Sequence, residues 1–539
     1  MSGSDPPSQR SSSDDDDYVF DPLPVADHPP RSPSPLANHP INPVFEKRVL
    51  RKVDRRLLPI LAVLNALAYL DASNLPSARL LGAADELGLD IGRRYNIINL
   101  IFFVPFISLQ LPSNLAISRV GAPTWLGINA ILLGALTISM GFVGDWREFV
   151  GCRLLIGFLE AIILPSCVYL ISTWYTRREL HFRFAVFYSA TVFVSAFGNI
   201  VNYSFSKVHS GSMQGWRWIL VLEGVITVIA SLYGTITSLD FPDKRVHANE
   251  RFFGRDERRL VQQRIREDRQ DEQFDGFSGE KFLAYARDAN VWLFGLMMFC
   301  AMMPVYAYFS VSMTIYYSLF IGRSDASQVC FGLDAVSNFL VSYSWSMQTP
   351  FLHRRENLSL VDTQALYIPV GLFACVVVLA APVYARLRGS ALTPVVVFLF
   401  LMTLLGLCLI AYPNARAARY LGCFLAYAGA QANVPTILAH QAINTRTYSK
   451  RAITGAIVLS LGSAGGLLGS ALFPPQDTSY TTGLSIAIGL QLLGALATIS
   501  LSSRMRKANE AAKKTQSNVP YFIEGLEGFE YCEIASVVI

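Results

Sequence analysis

Stretches of mainly apolar residues recur near 57–76, 95–116, 123–143, 149–171, 184–206, 218–238, 291–320, 363–385, 391–411, 418–439, 452–473 and 481–501, most of them parted by short loops. Each approaches the roughly 20 residues a helix needs to cross the hydrocarbon layer. The pattern predicts an all-α membrane protein with twelve transmembrane helices. Asp240 to Asn290 interrupts it, because Glu257-Arg258-Arg259 and the run Arg264 to Glu272 cannot enter lipid, and this divides the spans into two sets of six. The expected organisation is a cytoplasmic tail over 1–45, a bundle over 46–239, a central loop over 240–290, a second bundle over 291–503 and a tail over 504–539.

Loop charge sets the orientation. Lys47, Arg48, Arg51, Lys52, Arg55 and Arg56 precede the first span, which puts the N-terminus on the cytoplasmic side. Counting spans from there brings Arg177, Arg178 and Arg183, the central loop, Arg386 and Arg388, Arg446, Lys450 and Arg451, and Arg504 to Lys507 to the same side. Fewer basic residues fall outside, at Arg147, Arg354 with Arg355, and Arg416 with Arg419. The expectation is a multi-pass protein of the plasma membrane with both termini cytoplasmic. The net charge of +5 is thereby explained as topology, and no nucleic-acid partner is needed.

Composition agrees with this class. Mean hydropathy is +0.36, and 16% of residues are charged, against about a quarter in soluble domains. Residues 1–45, rich in Ser and Pro and carrying the run Asp14 to Asp17, read as a disordered tail without the apolar core of a cleavable signal peptide. The basic, Ala-rich piece Arg504 to Lys514 extends the last helix. The eight cysteines show no Cys-x-x-Cys spacing and mostly fall within spans, as packing residues do. Gly462 to Gly469 lies inside an apolar span with no Lys-Ser/Thr ending, so it reads as close helix packing and not a phosphate cradle. The seven histidines are scattered. No cofactor, metal site or catalytic constellation is indicated, and an enzyme is disfavoured.

Polar groups inside spans are expensive and default to functional candidates. They are Asp71 and Asn74 at the end of the first span, Gln110 and Asn114 in the second, Arg153 and Glu160 in the fourth, Asn199 and Asn202 in the fifth, Glu223 in the sixth, and Gln431 and Asn433 in the tenth. Arg153 and Glu160, seven residues apart, stack on one helical face as a structural pair or a coupling element. Asp71 caps or pairs at a helix end on the alternative reading, and Glu223 is close enough to Arg217 for an interfacial ion pair. Asn202-Tyr203-Ser204 and Asn357-Leu358-Ser359 fit the N-glycosylation pattern on or near the outer side, with Asn357 the better acceptor.

A run of motifs begins with Lys52-Val53-Asp54-Arg55-Arg56-Leu57-Leu58-Pro59, Tyr69-Leu70-Asp71, Tyr95-Asn96, Phe102-Phe103-Val104-Pro105 and Leu111-Pro112-Ser113-Asn114. It continues through Arg153 to Ala161, Trp174 to Leu180, Gly215-Trp216-Arg217-Trp218, Asn433-Val434-Pro435, Lys450-Arg451-Ala452 and Tyr480 to Gly483. On these motifs rests a resemblance to the fungal allantoate and nicotinate permease branch of the major facilitator superfamily, the anion:cation symporter family. It implies two pseudosymmetric six-helix bundles, a single substrate site near the midplane and alternating access by rocking of the halves. It further implies a small organic anion or zwitterion as substrate, protons as the driving partner, and a monomer in the lipid bilayer.

The chain departs from the family at three places. Ala72 follows Asp71 where members usually carry Arg, Gln110 stands in place of a Glu, and His440-Gln441 in place of Trp-Asn. Losing a cation and a carboxylate opens the alternatives of a pathway-specific exporter and of a non-transporting nutrient sensor on the same scaffold. About forty extra residues near 316–357 also separate the seventh and eighth spans, as an outer loop or a translated intron.

Overall fold

A computed structural model describes residues 43–78, 82–89, 91, 94–208, 213–242, 252–269, 279–321, 367–389, 391–412, 416–445, 447–472, 481–514, 522–523 and 526–527. Side chains at 72–77, 84, 95–96, 99–100, 199–200, 203, 269, 306–321, 367, 416–417, 448, 470–471, 481, 512, 514 and in the two short strands lie outside that description. The side chains of Asn74 and Asn199, the tail over 1–42, residues 322–366 and with them Asn357 are therefore outside the described residues.

By internal contacts the chain divides into two units, Ile41–Lys507 with Tyr531–Ile539, and Met1–Pro40 with Ala508–Glu530. The second holds a hairpin in which β1 (Phe522–Ile523) pairs antiparallel with β2 (Leu526–Glu527). The first is the helical bundle. Its N-terminal half comprises α1 (Pro43–Ala78), a short α2 (Ala84–Leu87), α3 (Arg94–Ser108), α4 (Gln110–Val120), α5 (Ala122–Met140), α6 (Trp146–Trp174), α7 (Arg177–Ser206) and α8 (Gly215–Thr237). The central segment forms α9 (Arg255–Arg269) and α10 (Gly279–Arg287). The C-terminal half comprises α11 (Ala289–Ile321), α12 (Tyr367–Arg388), α13 (Leu392–Ala411), α14 (Arg416–Ile443), α15 (Tyr448–Ala471) and α16 (Thr481–Lys514).

Among the described residues eight helices are individually long and apolar enough to span a bilayer, and the bent pairs α3/α4 and α10/α11 raise the number to ten. The first and tenth apolar stretches of the sequence lie in α1, of 36 residues, and α14, of 28. The architecture is the all-α, two-bundle fold that the hydropathy pattern predicts.

The bend of 50° between α3 and α4 has a local cause. Pro112 lacks the N–H that would bond the Ser108 carbonyl, and its ring crowds that carbonyl, so the helix breaks at Leu109. Helices elsewhere approach until backbones touch. A Cβ at Gly134 would lie 2.8 Å from the Gly224 carbonyl oxygen and one at Gly224 would lie 2.7 Å from that of Gly134, which locks α5 to α8. Gly406 and Gly422 make the corresponding reciprocal contact between α13 and α14, at 2.7 and 2.8 Å.

Burial sorts the helices by role. In α6, 72% of the apolar window is buried against 39% in α8, so α6 is an interior helix and α8 a peripheral one. Along α8, Ile226, Ile229, Tyr233 and Ile236 recur at helical spacing and are exposed, forming an apolar face suited to lipid.

At the end of the bundle that carries the basic loops, α9 is tied to the N-terminal half. Arg264 donates to Glu46 Oε1 at 2.5 Å and to Glu179 Oε1 at 2.8 Å. Lys52 meets Glu257 at 2.7 Å, and the Arg177 N–H meets Asp268 Oδ2 at 2.8 Å. Glu179 also completes a capping box with Thr176 at the start of α7. In the C-terminal half this end carries the ion pair of Lys450 with Asp288 at 2.9 Å, beside a Tyr285–Ser449 hydroxyl contact of 3.4 Å. At the opposite end of the N-terminal half, Glu86 accepts from Trp216 Nε1 at 2.8 Å and Arg217 Nη2 at 2.7 Å.

Candidate functional site

Glu160 stands at the middle of α6, about 20 Å from either end at 1.5 Å per residue. It is 5% exposed, its Oε1 has no hydrogen-bond partner, and it lies within electrostatic reach of Asp71 on α1 and Arg153 one face-repeat away. Arg153 and Asp71 both act on it electrostatically, the guanidinium favouring its charged form and the second carboxylate opposing it. Asp71 is fully enclosed, with the Thr137 hydroxyl of α5 at 2.5 Å from Oδ2. That hydroxyl is also 2.9 Å from the Leu133 carbonyl, and with one proton it serves the carboxylate or the helix, not both. Two carboxylates and one guanidinium from α1 and α6 thus share the low-dielectric interior of one half, a set that carries no net charge when it holds one proton.

The halves meet along two seams. On the first, α4 faces α15. Gln110 Nε2 donates to Ser463 Oγ at 3.0 Å, Ser460 Oγ donates to the Ile107 carbonyl at 3.1 Å beside the α3/α4 break, and Asn114 Nδ2 donates to the Ala452 carbonyl at 3.0 Å. Nearby, Arg451 Nη1 reaches the Ser172 carbonyl at 3.3 Å.

On the second, α7 faces α12 and α14. His181 Nε2 lies 3.2 Å from Thr436 Oγ1, the Tyr188 hydroxyl donates to Gln431 Oε1 at 3.0 Å, and Ser195 Oγ lies 3.4 Å from the Tyr427 hydroxyl. These α7 residues recur every seven positions, so they climb one face in steps of about 10 Å. Asn202, 1% exposed, is the next member of that stripe. Its side chain is enclosed in this conformation, and the expectation of a glycan there is not tested by that.

Asn433, two positions after Gln431 and so on roughly the opposite face of α14, is fully buried and neither of its amide atoms has a hydrogen-bond partner among the described residues. A buried amide left so costs about 1–3 kcal/mol, which makes it a group prepared for something other than its neighbours. The proposed Glu223–Arg217 pair does not form. Arg217 engages Glu86 and the Gly141 carbonyl, at 2.8 Å, while Glu223 is buried deep in α8.

The sequence candidates therefore separate into a charged cluster (Asp71, Arg153, Glu160), a seam pair (Gln110, Asn114) and a neutral amide pair (Gln431, Asn433). The hydroxyl and imidazole partners Thr137, His181, Tyr188, Ser195, Tyr427 and Thr436 escaped sequence reasoning, although the seven-residue spacing on α7 could have found three of them. Among the described residues no cluster of three His, Cys, Asp or Glu side chains could hold a metal ion.

Comparison with known proteins places this geometry. A "MFS-type transporter cnsO" of Penicillium expansum is 27% identical over 475 residues, covering 86% of this chain and 84% of the relative. A "High-affinity nicotinic acid transporter" of Saccharomyces cerevisiae is 25% identical over 484 residues, covering 89% and 81%. Among solved structures, the proton:xylose symporter XylE superposes with a TM-score of 0.58 at 15% identity, covering 83% of this chain and 95% of that one. The human organic anion transporter MFSD10 gives 0.54 at 15% identity, covering 83% and 99%. These two show the fold alone. The sequence profile of the Major Facilitator Superfamily matches residues 61–474, and the chain is a multi-pass membrane transport protein of that family, not an enzyme.

Proposed function

We propose that this protein is a proton-coupled secondary transporter of a small organic anion or zwitterion, working by alternating access. The observation that carries the reading is the buried set Asp71, Arg153 and Glu160 at the middle of one half. A charge there is tolerated only when neutralised by a proton, a substrate ion or a partner, so exchange of a proton changes which conformation is favoured. Asn433 supplies a neutral donor and acceptor from the other half, suited to a carboxylate or carbonyl of the substrate. The relative named for nicotinic acid supports a carboxylate.

The seams suit rocking. Their hydrogen bonds are mostly between neutral groups, each worth about 1 kcal/mol net, and can be exchanged one at a time. Asn114, Arg451 and His181 close the seams at the basic end. With that end cytoplasmic, as the charge asymmetry argues, the conformation is shut toward the cytoplasm. The protein acts as a monomer in the plasma membrane on this reading.

The test is uptake and efflux of labelled carboxylates and zwitterions by cells expressing the chain, against cells expressing Glu160→Gln at equal abundance. Transport that is pH-dependent in wild type and lost in the variant supports the proposal. Wild-type rates and an unchanged pH profile in the variant overturn the coupling role. No movement of any substrate in either direction favours a sensor.

A further inference from the structure

A recess of about 910 Å³ opens on the basic end of the N-terminal half, outside the transport interior. Its wall is the first part of α1, which contributes Lys47, Arg48, Arg51, Lys52, Arg55 and Arg56 at helical spacing. Its floor is apolar and aromatic, from Pro59, Ile60, Tyr233 and Phe252.

Two of the cations are engaged. Lys52 pairs with Glu257 and lies 4.7 Å above the Phe252 ring, and Arg56 donates to the Thr237 carbonyl at 2.5 Å and lies 4.2 Å above the same ring. The carboxylates around them are committed elsewhere, Glu46 to Arg264 and Asp54 to Arg183. Glu257, the one carboxylate lining the recess, is held by Lys52. Lys47, Arg48, Arg51 and Arg55 are exposed, and none of them has an acidic partner among the described residues. Topology requires basic residues at this end, but it does not require a concave wall of them above an aromatic floor.

The location selects the ligand. The exposed apolar face of α8 runs through Ile229 to Tyr233, 65% exposed, and Ile236 at the rim. A tyrosine at that junction marks the level where acyl chains give way to headgroups. An occupant must therefore present apolar chains to α8 and several negative charges to α1.

We propose that this recess binds an anionic phospholipid whose headgroup carries a phosphomonoester, with Arg48, Arg51 and Arg55 holding the phosphates and the acyl chains lying along α8. A headgroup with one phosphodiester and one phosphomonoester carries about −3 at neutral pH, which Arg48, Arg51 and Arg55 match, with Lys47 beside them. Guanidinium groups bind such oxygens bidentately. The inference rests on the orientation argued above only for the leaflet concerned.

The experiment uses the full chain, delipidated in detergent and titrated by native mass spectrometry with dioleoyl phosphatidylinositol phosphate, phosphatidylserine, phosphatidylcholine and the free inositol phosphate headgroup. Wild type should bind the phosphoinositide at least tenfold more tightly than any of the other three. The R48Q/R51Q/R55Q variant should lose that preference, and R386Q/R388Q, at the same end of the other half, should keep it. A photoactivatable phosphoinositide should label wild type within residues 44–60 or on α8, which needs no variant to fold. Equal binding of phosphatidylserine or of the free headgroup, retention of the preference in the triple variant, or labelling elsewhere would each overturn the proposal. Binding is read without transport, so its failure is distinguishable from failure of the transport reading.

Discussion

Inside its spans the N-terminal half buries Asp71, Arg153, Glu160 and Glu223, none more than 5% exposed, whereas the C-terminal half buries Gln431, Asn433, Thr436, His440 and Gln491. The exception is Arg451, which sits at the basic end of α15. The polar interiors are comparable in extent and different in kind. Charge in lipid demands a compensating partner, so on the proposed reading the first half is the one suited to respond to protons and ions. Amides and hydroxyls impose shape and direction without demanding neutralisation, so the second half is suited to recognising a substrate. Among the described residues the buried carboxylates of the spans lie in the first half, beside neutral groups such as Gln110 and Asn114.

The sharpest way to break this division is to exchange the damage. Glu160→Gln or Asp71→Asn should lower the maximal transport rate at least ~tenfold, about 1.4 kcal/mol, and flatten its pH dependence. Asn433→Ala should instead raise KM several-fold with less change in maximal rate. If the Asn433 variant flattens the pH profile, the division fails.

Anchoring at the basic end offers a second contrast. Arg264→Ala removes two partly buried ion pairs and should cost about 2 kcal/mol of unfolding free energy in detergent, whereas Lys450→Ala removes one and should cost about 1 kcal/mol. Chemical denaturation of the two variants side by side decides it, and equal losses would mean that both halves are held alike.

Tyr188→Phe deletes one hydrogen bond across the second seam. It should shift the equilibrium between seam-closed and seam-open states about fivefold toward open, about 1 kcal/mol. Distances between spin labels placed on α7 and α14 report this. An unchanged distribution would place the weight on the α4–α15 seam.

The smallest effect is expected at Glu86. Burial alone would raise its pKa, but hydrogen bonds from Arg217 and Trp216 and the Arg217 charge hold the carboxyl below its usual range. A depressed folded value contributes stability above the unfolded pKa of about 4.3 and loses it as pH falls through the folded value. Wild type should therefore melt slightly above Glu86→Gln at neutral pH, by the equivalent of less than about 1 kcal/mol. The gap should close as the pH falls through the folded value. A gap that widens in acid would reverse the sign.

The spans were legible because apolar length is a one-dimensional property, and the break at Leu109 follows from Pro112 in the same way. Asp71, Arg153 and Glu160 were legible singly because a charge in an apolar run is conspicuous. Their partnerships were not. Thr137 and Tyr188 are ordinary span residues until α5 and α7 are packed, and Arg217 chose Glu86, 131 positions away, over the nearby Glu223. Asn202 matched a surface motif, but in the fold it belongs to a buried stripe whose seven-residue rhythm was already in the sequence.

The reciprocal contact of Gly134 and Gly224 bears on where motion is stored. Two helices that touch backbone to backbone have no side chains left to compress or rearrange between them, and even a methyl group at either position would wedge them apart, at about 1–3 kcal/mol. The α5–α8 pair is therefore a rigid strut, and Gly406 with Gly422 makes another in the opposite half. A stiff lever passes a displacement from one end to the other with little loss, so a change at Asp71 and Thr137, in the last turn of α5, can reach the far end of the strut while each half keeps its internal packing.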